Sequence, residues 1–115
     1  MKKLSKTKIL NFPLEPMPLD EEDILEGNPR AKGEILFSSA DKKFYMGVWE
    51  CTKGKFLYKY DDDEACYILQ GEAIIRSDSG VVAVRKGDFV FFRKGLETMW
   101  QIKKKIKKLF FIYES

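Results

Sequence analysis

From residue 33 onward the apolar positions come in short bursts. The runs EILFSS (34–39), KFYMGVWE (43–50), KFLYKY (55–60), ACYILQ (65–70), EAIIRS (72–77), VVAVRK (81–86), DFVFFRK (88–94) and LFFIY (109–113) are rich in aromatic and β-branched residues. Turn-formers separate them: Asp41, Gly54, the aspartates at 61–63, Asp78-Ser79-Gly80, Gly87-Asp88 and Gly95. Short runs at this spacing predict an all-β sandwich or barrel. Ser77 to Gly80, between AIIR and VVAV, predicts a hairpin. Gly71, between two runs, marks a tight bend where a side chain would strain the backbone.

One stretch contests the strand pattern. In WQIKKKIKKLFFIY (100–113), Ile102, Ile106, Leu109, Phe110 and Tyr113 fall at helical spacing with five lysines opposite. Read alone, that is a basic amphipathic helix. The four consecutive apolar residues 109–112 fit a buried strand better. The expectation is therefore two strands, WQI and IKKLFFIY, joined by a lysine turn, with Lys103, Lys104, Lys105, Lys107 and Lys108 on a solvated turn and strand face.

The first 28 residues differ in character. Pro13, Pro16 and Pro18 block a helix and demote any strand to an edge. An acidic run, Asp20-Glu21-Glu22-Asp23, follows. This reads as an extended N-terminal arm over 1–28, with one helical turn over 20–26, ahead of a barrel over 29–115.

Composition narrows the chemistry. The 115 residues suit one domain with one core. There is no histidine, which removes the commonest general base and metal ligand and excludes Ser-His-Asp and Cys-His catalysis. Two cysteines, Cys51 and Cys66, form no C-x-x-C pair, so a reducing, cytoplasmic setting is expected. The start is lysine-rich without an apolar run and does not read as a secretory signal. No apolar stretch approaches the length of a membrane span. A net charge of +3 does not by itself mark a nucleic-acid binder.

Three fragments carry a family resemblance: Gly-Val-Trp-Glu-Cys-Thr-x-Gly at 47–54, Asp-Glu-Ala-Cys-Tyr-Ile-Leu-Gln-Gly at 63–71, and Lys-Gly-Asp-x4-Arg-Lys-Gly at 86–95 followed by Trp100. Together they resemble the cupin superfamily, and within it the small single-domain cupins grouped with ureidoglycine aminohydrolase and ethanolamine-utilisation cupin domains. The resemblance covers about residues 29–113 and implies a single cupin-type β-barrel, a double-stranded β-helix or jelly roll. In metal-dependent cupins the first motif supplies two histidines and a glutamate and the second a third histidine. The resemblance places the glutamate at Glu64, the two histidine positions near Tyr58 and Tyr60, and the last on Thr98. One of four ligands survives, so no metal cofactor is expected. Manganese-dependent ureidoglycine hydrolysis, the activity the resemblance would suggest, loses its ligands, and that enzyme type has two cupin domains.

Alternation gives a candidate pocket. If Glu64 points inward, so do Cys66 and Ile68. Tyr58 and Tyr60 share a face, as do Thr98 and Trp100, and Trp49 and Cys51. Glu64, Tyr58 and Tyr60 are the candidate catalytic groups, with Glu64 as acid or base and the tyrosines as hydrogen-bond donors or core aromatics. Trp49, Cys66, Thr98 and Trp100 are candidate ligand contacts. Cys66 reads as a small buried hydrophobe more than a nucleophile, and the aspartates at 61–63 as a solvated turn. Rings for stacking with a few oriented polar groups suit a small polar molecule with a planar part. The expected partners are such a ligand and a second copy in a homodimer. A nucleic-acid-binding barrel, suggested by the interleaved Phe and Lys, and a purely structural role are the alternatives.

Overall fold

The computed structural model of the chain describes residues 4–114. The first three residues of the expected arm and the last residue of the expected barrel lie outside the described residues. Among those described, nine strands form one curled antiparallel sheet: β1 (Glu15–Pro16), β2 (Ile24–Gly27), β3 (Ala31–Ser38), β4 (Phe44–Cys51), β5 (Gly54–Lys59), β6 (Asp63–Ser77), β7 (Gly80–Arg85), β8 (Phe89–Phe92) and β9 (Glu97–Tyr113). A single 3-10 turn at Glu21–Asp23 precedes β2. The all-β barrel expected from the sequence is the observed fold. No described helix is long and apolar enough to cross a membrane.

Two long strands organise the barrel. β6 and β9 pair antiparallel from Asp63↔Tyr113 to Arg76↔Met99. The later half of β9 pairs with β4 and its earlier half with β5. Likewise, β8 pairs with the first half of β6 and β7 with the second. The result is two half-sheets, β1-β3-β4-β9-β6-β8 and β2-β5-β9-β6-β7, which share their central strands. The aromatic core spans the gap between them. Phe92 of β8 stacks on Tyr60 at 4.1 Å between ring centroids, and Trp49 of β4 meets Phe56 of β5 at 6.4 Å.

Three local expectations need correction. ACYILQ and EAIIRS are one strand, β6, with Gly71 as an irregularity inside it. Gly71 has φ +96°, and a Cβ there would collide with the Lys105 carbonyl oxygen. Glycine therefore lets the two long strands bend together without parting. WQI and IKKLFFIY are likewise one strand, β9, rather than two strands about a lysine turn, and no helix forms. Lys103, Lys104 and Lys105 are exposed where β9 passes from β5 to β4. Over 20–26, only 21–23 make a helical turn, and Ile24–Gly27 pair with β5 instead.

The N-terminal segment is tied down in cis. Glu15–Pro16 form a two-residue edge strand on β3, where a missing proline N–H costs no ladder bond. Met17 N–H donates to the Ala31 carbonyl at 2.9 Å. Further back, the carbonyl of Leu10 accepts a 2.7 Å hydrogen bond from Lys107 Nζ.

Candidate functional site

A cavity of about 430 Å³ opens between the half-sheets. Its wall carries Trp49, Phe56, Tyr58, Tyr60, Glu64, Trp100 and Lys108, and the segment from Met17 to Asp20 closes one side with Asp23 beside it. Along β4 and β9 the period of two sets this lining. Tyr45 and Trp49 point inward from β4, Glu64 from β6, and Lys108, Phe110 and Ile112 from β9.

The centre of the site is an ion pair. Lys108 Nζ lies 3.3 Å from Glu64 Oε2, with each side chain 8% exposed. Glu64 is register partner to Ile112 and Lys108 to Ile68, so the bridge runs diagonally across the β6–β9 ladder. The ammonium also sits 4.8 Å from the Trp49 ring centroid and 4.9 Å from that of Trp100. Negative ring faces attract a desolvated cation from directions the carboxylate does not cover. Burial alone pulls the Lys108 pKa down. The Cys66 and Glu64 acids nearby, whose ionised forms would favour the ammonium, together with the hydrogen bond to Glu64, outweigh that and leave it above its ordinary value. Lys108 is therefore a cation at neutral pH.

The aromatic polar groups divide into used and free. Trp100 Nε1 donates to Tyr60 Oη at 3.2 Å, and both rings are buried. Burial, then the Glu64 charge, hold the Tyr60 phenol well above its ordinary pKa. Tyr58 is at the mouth, 43% exposed, its ring 4.7 Å from that of Tyr60. Desolvation and then Glu64 raise its phenol as well. Both phenols are neutral donors near pH 7 and not bases.

Five of the seven candidate residues line the cavity: Glu64, Tyr58, Tyr60, Trp49 and Trp100. Cys66 and Thr98 do not. Thr98 is buried and spends its hydroxyl on the Tyr58 carbonyl at 2.8 Å. Cys66 is buried in the hydrophobic core, and its thiol is pushed up by burial more than Lys108 lowers it. Among the residues 61–63, Asp63 accepts the Lys94 N–H at 2.9 Å.

Lys108 is the residue that sequence reasoning misplaced. The lysines were expected on a solvated face; Lys107 and Lys108 are buried instead. The signal was present in the phase, because Ile106, Lys108 and Phe110 share a face of β9. The wall from Met17 to Asp20 was also missed, since only long-range folding brings it there.

The residue set does not fit the divalent metal that the cupin resemblance implies. Glu64 holds an ammonium, Tyr60 Oη accepts from an indole, and Thr98 Oγ1 faces a backbone carbonyl. Among the described residues no three His, Cys, Asp or Glu side chains converge on one point. Tyrosine and threonine hydroxyls beside one carboxylate are poor ligands for such an ion.

The family model for the EutQ-like cupin domain matches residues 38–110. The chain belongs to that family. Solved structures agree on the fold. The Clostridium difficile EutQ protein is 19% identical with a TM-score of 0.66, over 85% of this chain and 81% of that one. A Pseudomonas syringae protein of the DUF861 family, described as of unknown function, reaches a TM-score of 0.80 at 21% identity over 89% of this chain, which spans only 45% of that protein. A Thermotoga maritima DUF861 protein is 29% identical with a TM-score of 0.53, over 68% of this chain and 96% of that one. No curated protein sequence matches the chain.

Proposed function

We propose that this cupin binds, and by binding carries or converts, a small polar metabolite with a planar or apolar part, in the barrel cavity and without a metal cofactor. The Glu64–Lys108 pair carries the reading. Desolvating two charges costs several kcal/mol, and an apolar pair of similar volume commonly serves stability as well or better. A buried ion pair on the wall of a ring-lined cavity has the makeup of a ligand site. Cytoplasmic placement belongs to the same reading, with Cys51 and Cys66 both free thiols.

Native mass spectrometry on protein without a histidine tag tests this, followed by a metabolite-library screen. The expected result is a bound organic mass and no stoichiometric metal. Glu64→Gln should lose that ligand. A stoichiometric divalent ion, or a ligand that Glu64→Gln holds as well as wild type, overturns the reading.

Homodimerisation is proposed on a separate observation. β8 is an edge strand paired only with β6, and its Phe91 is 76% exposed and stacked on the Phe89 ring, which in turn lies 6.4 Å from that of Phe111. An apolar edge of this kind pairs readily with a second copy. Light scattering should show a dimer that Phe91→Glu converts to monomer. A wild-type monomer at millimolar concentration rejects it. The nucleic-acid reading has less support, because Lys104 and Lys105 pair with Glu72 and Glu50 at 3.2 and 2.8 Å.

A further inference from the structure

We infer that Lys108 is a ligand-binding residue and that, with Glu64, it selects uncharged ligands whose head group offers an acceptor oxygen and an adjacent N–H or O–H donor, as a primary amide does. The inference rests on the small-molecule reading above and specifies its ligand.

The argument starts from unused valences. Lys108 has three N–H donors, and one goes to Glu64 Oε2. The other directions meet ring faces, which are weaker acceptors than an oxygen. Glu64 Oε1 accepts no hydrogen bond from the described residues, yet no polar side-chain atom among them is both sealed and unpaired. That oxygen is therefore not sealed off, and Glu64 is part of the cavity lining. A ligand oxygen on Lys108 and a ligand N–H on Glu64 Oε1 would complete both groups, with the flat part of the ligand against the tryptophan rings.

Charge balance sets the selection. The buried pair sums to zero. An anionic head leaves one net negative charge in a ring-walled cavity and a cationic head one net positive charge, and neither is compensated. Asp20 and Asp23 on the rim add a repulsion of anions that solvent and salt screen. The same logic gives opposite outcomes for the two single variants. Without the ammonium, Glu64 becomes a cation site; without the carboxylate charge, Lys108 becomes an anion site.

Benzamide, benzoate and benzylamine are the probes, since they share a ring and differ in head-group charge. The readout is the indole N–H NMR resonances of Trp49 and Trp100, the chain's two tryptophans. Wild type should bind benzamide ahead of the other two. Lys108→Met should shift preference to benzylamine and Glu64→Gln to benzoate, each ratio moving tenfold or more. The Glu64→Gln/Lys108→Met double variant, in which no charge is left buried, guards against misfolded single variants and should bind neither charged probe preferentially. An identical ranking in all four proteins overturns the inference and leaves the cavity a binding site. Silence of all four towards the probes, with a co-purified or library ligand held by wild type, also overturns it alone. Silence with no ligand found overturns the small-molecule reading as well.

Discussion

Trp100 and Tyr60 are joined by the indole N–H and the phenol oxygen at 3.2 Å, inside a ring stack that includes Phe56 and Phe92. The bond gives a buried indole donor its partner, which an all-carbon core could not supply. Tyr60→Phe should therefore destabilise the fold by about 1–2 kcal/mol, the cost of one stranded buried donor. Tyr58→Phe removes a hydroxyl at the mouth that has no described protein partner, and should stay within about 0.5 kcal/mol. Urea denaturation of the two variants beside wild type checks the contrast. Equal losses would show that the Tyr60 hydroxyl is not what satisfies Trp100.

Gly71 and Gly87 form a second matched pair. Both have positive φ, +96° and +95°. At Gly71 a methyl group collides with the backbone of Lys105, whereas at Gly87 it meets nothing within 4 Å. Gly87→Ala should cost only the left-handed backbone, about 1–2 kcal/mol. Gly71→Ala adds a steric term that neither long strand can relieve by rotating a side chain, for a total of about 3–5 kcal/mol. Melting temperatures should separate the two by about ten degrees or more, given ~4–8 °C per kcal/mol for a domain near this size.

These positions show what was legible in the sequence. Turn residues and β-rich runs announced an all-β sandwich or barrel, the cupin resemblance chose the barrel, and alternation put Cys66 and Ile68 on the same face as Glu64 before any contact was known. The bend at Gly71 was legible, but the continuity of β6 through it was not. Continuity depends on β9 running alongside, a pairing between residues far apart in sequence. Lys108 was hidden by its neighbours: five lysines in six positions read as solvated surface. The partner Glu64, 44 positions away, and the Trp49 and Trp100 rings make a buried ammonium tolerable. The cavity wall from Met17 to Asp20 was illegible for the same reason, because proline-rich sequence states where a chain is not helical and not what it packs against.

The buried thiols and phenols fix the alkaline limb of stability. Burial pushes Cys51 from 9.0 up to about 12 and raises Cys66 and Tyr60 in the same direction. In each case the folded state keeps a proton that the unfolded state gives up. Their contribution is therefore full below pH 9 and is lost as pH climbs from there towards about 12. Lys108, raised above 10.5, adds to the loss only at the top of that range. Urea midpoints at pH 7 and 8 should agree, and those at pH 10 and 11 should fall. Cys51→Ala should flatten the decline even if it lowers the midpoint at pH 7. A native protein whose thiols react with a disulfide reagent at pH 8 as fast as a free thiol would contradict the burial on which this rests.

The N-terminal segment should be separable into two functions by truncation. Residues 4–14 meet the barrel at Leu10, whose carbonyl accepts from Lys107, outside the cavity lining. Residues 17–20 and 23 are cavity wall. Removing residues 1–14 strips the partner from Lys107 but also admits water to it, so the loss should be small, about 1 kcal/mol. Benzamide shifts at the Trp49 and Trp100 indoles should then persist. Removing residues 1–23 also deletes β1 and the wall, turning an enclosed pocket into an open face. It should weaken benzamide binding at least tenfold, because less of the ring is taken from water. Should the longer truncation fold and bind the probe as tightly as the shorter one, the segment from Met17 to Asp23 would be a strap on the barrel with no part in the site.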